Sequence, residues 1–317
     1  FIIAGPLFSD GFLVCQDNPP HQAEAYFLVN ELIPEGKLFG WAPMDSGGFP
    51  IFMYDYPLGF WLLALIHLLL GLDVILSYKM IVFISYVGVS LAFFLAFNKR
   101  LGEKIALVLS VLLLLQFDFI SFPLNGLWGQ YFSMIFLILF LHFLDKVFRE
   151  KPRLVNLILL GMLGGLVILS HPTTTFYMGI LTLLTISLYL YRGIVNYKRA
   201  LQYLIVISSI ALAMSIFYIY PILDTLSWVR PTREMAPGSI NDALIKSAGY
   251  MFMPHLRAAE IKTQLGWVGG TFVLDILIKN LINSLQLILL NVSETILSLL
   301  FIIGVYAFLK AEKKDPL

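Results

Sequence analysis

The sequence predicts an all-α polytopic membrane protein, one transmembrane domain over residues 1–317 with about eight spanning helices and interfacial helices in its first and last outer loops. Three observations predict it. Hydrophobic residues make up 59% of the chain and charged ones 13%, where a soluble domain carries about a quarter charged residues. The mean hydropathy is +0.85, and several apolar runs approach the roughly 20 residues that cross a bilayer core. Lysine and arginine are gathered into four short clusters, as in the cytoplasmic loops of membrane proteins. The net charge of +1 points to no polyanion, and no nucleic-acid partner is expected. The single cysteine, Cys15, excludes an internal disulfide and a thiolate metal site.

The opening run FIIAGPLFSDGFLV, short and interrupted by Pro6 and Asp10, reads as the outer end of a truncated first helix, 1–15. An outer loop, 16–74, follows. Six spans then fill 75–221, at 75–97, 104–122, 131–148, 154–170, 173–191 and 200–221. A second outer loop covers 222–287, a last span 288–309, and a cytoplasmic tail 310–317.

The basic clusters decide this threading. They are Lys99, Arg100 and Lys104; Lys146, Arg149, Lys151 and Arg153; Arg192, Lys198 and Arg199; and Lys310, Lys313 and Lys314. All four lie inside only if 57–72 is not a full span but a helix in the outer interface. Its length, Pro57 at its start and His67 suit that role. The segment 272–309 must likewise hold one span. Asp275, Lys279, Asn283 and Gln286 recur at helical spacing in its first half, the pattern of a helix lying on the membrane surface. Of the 20 acidic residues only Glu103, Asp145, Glu150, Glu312 and Asp315 then fall inside. The chemistry is expected on the outer face of the cell membrane.

In the first outer loop, Pro19 and Pro20 start a helix running from His21 to Leu32, which Pro34 and Gly36 end. From Trp41 to Pro57 the glycines and prolines predict irregular backbone, tolerated at a membrane where it lines a cavity. Asp17 lies at the junction of membrane and loop, with His21 four residues on. A carboxylate there serves as a base toward a hydroxyl or as a ligand for a hard divalent cation. The alternative is that Asp17 caps the helix at Pro19. Asp45 and Asp55 carry the same pair of readings, site residue or turn former.

His171, before Pro172 and three threonines, is either a cavity residue or part of a helix break whose carbonyls the threonines satisfy. In the second outer loop Arg230 and Arg233 are suited to a lipid phosphate, and the alternative for each is contact with anionic headgroups.

Asp17 and His21, the stretch GWAPMDSGGFPIFMYDYPLGFWLLALIHLL (40–69), the NKRLG turn (98–102) and the SHP step (170–172) come in a telling order. Together they resemble the first outer loop of GT-C superfamily glycosyltransferases. The likeness is nearest to bacterial and archaeal membrane proteins labelled as related to 6-pyruvoyl-tetrahydropterin synthase, and it covers roughly 10–175. It implies a GT-C-like bundle, a polyprenyl-phosphate-linked sugar as donor, and an acceptor on the outer face. It also implies that Asp17 is the catalytic acidic residue, as base or as ligand of Mg or Mn. Around it His21, Asp45, Asp55 and His171 and, outside the likeness, Arg230 and Arg233 are expected to bind substrate. Membrane lipids are its surroundings and partners. One departure is Asn18, where many relatives carry a second acid; Asp45 or Asp55 would have to supply it. A WWDYG motif and a large outer C-terminal domain are absent from the sequence. A lipid or small-molecule transporter and a non-catalytic membrane subunit are the competing readings.

Overall fold

The computed structural model describes residues 7, 11–13, 17–42, 49–53, 56–115, 126–150 and 152–225. Among them are eight α-helices and one two-stranded sheet. Residues 226–317, on which most of the expected second outer loop and the whole of the expected last span and tail fall, lie outside the described residues, as do Asp45, Asp55, Arg230 and Arg233. Of the expected first helix only residues 7 and 11–13 are described.

Helix α1, Asn18–Phe27, carries prolines in its first turn and passes into a π-helical turn, Leu28–Leu32. The chain then reverses at Gly36, whose φ of 71° only glycine adopts without cost. Strand β1, Gly40–Ala42, pairs antiparallel with β2, Phe49–Ile51, placing Trp41 opposite Pro50. This hairpin corrects the expectation of irregular backbone from Trp41 to Pro57. Three-residue strands are too short for alternation to register. Pro50 is tolerated because both strands of a two-stranded sheet are edges. Directly after β2, Phe52 takes φ 60°, a left-handed conformation that costs a non-glycine residue roughly 1–2 kcal/mol. Its fully buried ring, 5.0 Å from that of Phe60, offsets the cost.

Helix α2, Pro57–Leu70, has 14 residues and ends where Gly71 turns left-handed and donates its N–H to the His67 carbonyl. At 1.5 Å per residue it rises about 21 Å, short of a bilayer core of about 30 Å. Its length therefore agrees with the non-spanning role expected of 57–72. Helix α3, Val74–Leu101, begins at a true cap: Asp73 accepts from the N–H groups of Ile75 (2.8 Å) and Leu76 (3.2 Å).

The remaining helices are α4, Glu103–Leu115; α5, Trp128–Arg149; α6, Leu154–Ser170; α7, Pro172–Tyr191; and α8, Tyr197–Thr225. Four helices, α3, α5, α7 and α8, are long and apolar enough to cross a membrane, and they contain the expected spans 75–97, 131–148, 173–191 and 200–221. Helix α6 matches 154–170 residue for residue but has only 17 residues. Helix α4 covers the start of 104–122, and the rest of that span lies outside the described residues. The two short apolar helices, α2 and α6, lie against each other.

Packing depends on small residues. Lipid is as apolar as leucine, so helices in it associate through close contact rather than exclusion of water. Gly161, Gly164 and Gly165 form a smooth stripe on α6 for α8. A Cβ at Gly161 would lie 2.6 Å from the Cβ of Ile210, and one at Gly165 would lie 2.9 Å from that of Met214.

The bundle has two distinct ends. At one, Asp145 of α5 holds Arg149 at 2.8 Å, Arg100 from the end of α3, and the Tyr189 hydroxyl from the end of α7. The Arg149 guanidinium also stands 5.3 Å above the Tyr189 ring. The ends of α3, α5 and α7, from which the first three basic clusters extend, are therefore gathered together. The other end holds the starts of these helices and the loop bearing α1, the hairpin and α2.

If close approach holds α6 to α8, Gly161→Ala should overpack the contact by about 1–3 kcal/mol and lower the melting temperature of the detergent-purified protein by several degrees. Gly179→Ala on α7, with nothing within 4 Å of the added Cβ, should not. Equal melting of the two variants would refute the stripe's role.

Candidate functional site

At the N-terminus of α1, Asp17 occupies the cap position yet makes no side-chain cap bond. The reason is chemical. A cap oxygen accepts from the second or third helical N–H, and here those residues are Pro19 and Pro20, which have none. The capping alternative for Asp17 is thus removed, and its carboxylate stays exposed at the mouth of the loop.

The next residue turns inward. Asn18 is fully buried, and its Oδ1 accepts from the Tyr78 hydroxyl of α3 at 2.7 Å. One turn on, buried Gln22 donates to the carbonyls of Asn18 (3.0 Å) and Leu13 (2.7 Å) and accepts from the Leu13 N–H (3.0 Å). Position 18 is a structural tie, which gives a physical reason for an amide where a second acid was expected. A carboxylate buried against a tyrosine would carry a desolvation cost that the amide avoids.

Between them His21 faces the interior of the loop end. Its Nδ1 lies 2.8 Å from Glu24 Oε2 and its Nε2 lies 3.2 Å from the Tyr56 hydroxyl. Three aromatic rings meet it edge to face: Tyr56 at 6.0 Å, Phe60 at 5.7 Å and Trp128 at 6.2 Å between centroids. Tyr56 is fixed by the proline after it, which holds it extended at the start of α2. Its ring lies against Gly129 of α5, where any Cβ would collide with it.

On the far side of Tyr56 stands His171, 5.0 Å away between ring centroids. Extended backbone (φ −167°, ψ 128°) separates α6 from α7 there, as Pro172 demands. The helix-break reading of this step is seen directly. Thr175 donates its hydroxyl to the carbonyls of His171 (3.0 Å) and Val167 (3.3 Å), satisfying the break. The imidazole itself belongs to the site, with its Nδ1 buried and no partner among the described residues. Burial, and then His21 nearby, push His171 down from the usual histidine range to about 4.

His21 and His171 are therefore brought together through Tyr56, and Asp17 lies one turn before His21, its carbonyl accepting the His21 N–H at 3.2 Å. The backbone from Asp17 to Asn18 lies so close to Gly126 that a Cβ there would sit 2.7 Å from Asp17 Cβ. Among the described residues no three of His, Cys, Asp and Glu converge in a set that could hold a metal ion, so Asp17 has no co-ligands there. Sequence reasoning missed Glu24, Tyr56 and Trp128 as site residues. The available signals were Tyr56 directly before Pro57 and the Gly126–Leu127–Trp128–Gly129 run, whose glycines flank a tryptophan.

A family model described as 6-pyruvoyl-tetrahydropterin synthase related domain, membrane protein, matches residues 52–316. No curated protein and no solved structure matches the chain.

The lowered His171 value carries a stability consequence. Its folded value lies below the unfolded one of roughly 6.5, so the neutral ring contributes fully above that pH and the contribution is lost as pH falls through about 4. The melting temperature should fall as pH drops across this window, and His171→Gln should flatten the slope. A slope unchanged in the variant would mean that another group carries it.

Proposed function

This chain belongs to the 6-pyruvoyl-tetrahydropterin synthase related family of membrane proteins, and from that premise we propose that it moves a sugar from a polyprenyl-phosphate donor to a hydroxyl on the outer face of the cell membrane. One observation carries the reading. At the loop end of the bundle, Asp17 keeps an uncapped, exposed carboxylate one turn before His21, whose N–H its carbonyl accepts, and His21 leads through Tyr56 to His171. A transfer site needs a carboxylate facing the reacting carbon and polar groups to orient an acceptor, and these residues offer both.

Sidedness follows from charge in this reading. Basic loops stay inside, and the ends of α3, α5 and α7 gather their basic clusters around Asp145. The opposite end, with Asp17 and the histidines, then faces outward, where a lipid-linked donor presents its sugar. In the reaction the acceptor oxygen bonds to the anomeric carbon and gives up its proton to a basic group of the site. The bond from that carbon to the phosphate oxygen breaks, and its electron pair leaves with the polyprenyl phosphate. Positive charge builds on the sugar ring in such transition states, and this reading assigns Asp17 to offset it. Arg230 and Arg233 are assigned the phosphate, and Asp45 and Asp55 the sugar or acceptor. A divalent cation finds no donor set among the described residues, and no step is routed through one.

The test is reconstitution in vesicles with a panel of polyprenyl-phosphate hexoses and pentoses and octyl glycoside acceptors. Release of polyprenyl phosphate is expected, with Asp17→Asn slower by about 100-fold while folding normally. Full activity in that variant removes Asp17 from the mechanism. Passage of the donor across the bilayer uncleaved would establish a transporter in place of a transferase.

A further inference from the structure

Glu24, His21 and Tyr56 stand in the order carboxylate, imidazole, hydroxyl. Glu24 Oε2 is 2.8 Å from His21 Nδ1, and His21 Nε2 is 3.2 Å from the Tyr56 hydroxyl. An ionised carboxylate only accepts, so in the neutral ring the proton sits on Nδ1. That leaves Nε2 as the acceptor and Tyr56 as the donor. A hydroxyl beside a base that a third group orients is the geometry of activated oxygens in group-transfer sites, recognised by roles rather than sequence spacing.

We propose that Tyr56 is a catalytic residue whose phenolic oxygen takes the proton of an acceptor hydroxyl, with His21 and Glu24 as its positioning relay; the identity of the electrophile rests on the sugar-transfer reading. The acceptor's proton moves to the Tyr56 oxygen while the Tyr56 proton moves to His21 Nε2, and Glu24 holds the imidazolium so formed. The acceptor oxygen bonds to the anomeric carbon as the phosphate departs with the electron pair. His21 afterwards returns its proton through Tyr56 to the released phosphate or to water.

Three features favour this relay over Asp17 as the base. The Asp17 side chain makes no cap bond to its own helix that would orient it, whereas His21 is held on both nitrogens. The Tyr56 ring is immobilised between Gly129, Phe60 and Trp128, so its hydroxyl is aimed rather than free to swing. Beside it, the buried Nδ1 of His171 has no partner among the described residues. A hydroxyl-bearing ligand that reaches Tyr56 can supply one. The ligand class is therefore an alcohol or sugar, bridged between Tyr56 and His171.

The relay is read without substrate by ¹⁵N spectra of histidine-labelled protein in lipid nanodiscs, with His21 assigned by its loss in His21→Gln. The expected result is a neutral His21 protonated on Nδ1. Tyr56→Phe, which keeps the ring packing, should shift Nε2 and leave Nδ1 in place, and Glu24→Gln should abolish the tautomer preference. An Nε2-protonated ring, or an Nε2 blind to Tyr56→Phe, overturns the relay. With a polyprenyl-phosphate sugar that wild type consumes, Tyr56→Phe should lower kcat about 100-fold or more with KM little changed. Full kcat in this variant overturns the role of Tyr56. The expected tautomer combined with no turnover of any such donor overturns the sugar-transfer reading, and with it the acceptor assigned here.

Discussion

The loop end of the bundle is organised around one ring. Trp128, the first residue of α5, is fully buried. It meets Phe60 of α2 at 5.2 Å, Tyr78 of α3 at 5.8 Å, Tyr56 at 5.9 Å and His21 of α1 at 6.2 Å, each nearly edge to face. Three separate stretches of chain thus converge on a single indole, and Gly59 leaves room for its six-membered edge. Close packing is what holds elements together where lipid competes equally for apolar surface, so the size and tilt of this ring set the spacing of everything near it. Gly126, at φ 95°, lets the chain enter α5 tightly against the backbone of Asp17 and Asn18.

On that scaffold the polar groups divide by burial. Asn18 and Gln22 are consumed internally, tying α1 to α3 and to Leu13. Glu24, His21, Tyr56 and His171 form a continuous sequence of contacts. At the opposite end Asp145 joins two arginines and a tyrosine, a charge arrangement that would be costly to bury without this degree of pairing. One end of the bundle is therefore fastened by charge and the other by aromatic packing around polar groups.

What could be read from the chain alone follows from which forces are local. Helices such as 154–170 were legible almost to the residue, since an apolar run in lipid has to satisfy its backbone internally and a helix does so. The hairpin at 40–51 was not, because its strands are brief and rich in glycine and proline. The proline pair at 19–20 held more than was taken from it: two residues without N–H groups cannot receive a cap, so Asp17 could have been separated from that role by inspection. The meeting of His21, Tyr56 and His171 was out of reach. They are separated by 35 residues in one case and by most of the bundle in the other, and no periodicity spans such distances. Asn18 looked like a missing acid because its partner, Tyr78, lies 60 residues away. Asp45, Asp55, Arg230 and Arg233 fall outside the described residues.

The shortness of α6 has a consequence for the surrounding bilayer. Helix α6, which adjoins the interfacial α2, has 17 residues, so where it crosses the membrane that flank of the bundle presents less hydrophobic height than the 28 residues of α3 offer elsewhere. A bilayer facing such a flank thins to match it, at a cost of fractions of a kcal/mol per ångström. Headgroups on that flank would sit deeper than around the rest of the protein. Both helices end at the site, α2 beginning beside Tyr56 and α6 stopping at His171. Under the sugar-transfer proposal, such a dimple would shorten the climb of a lipid-borne phosphate to those two residues.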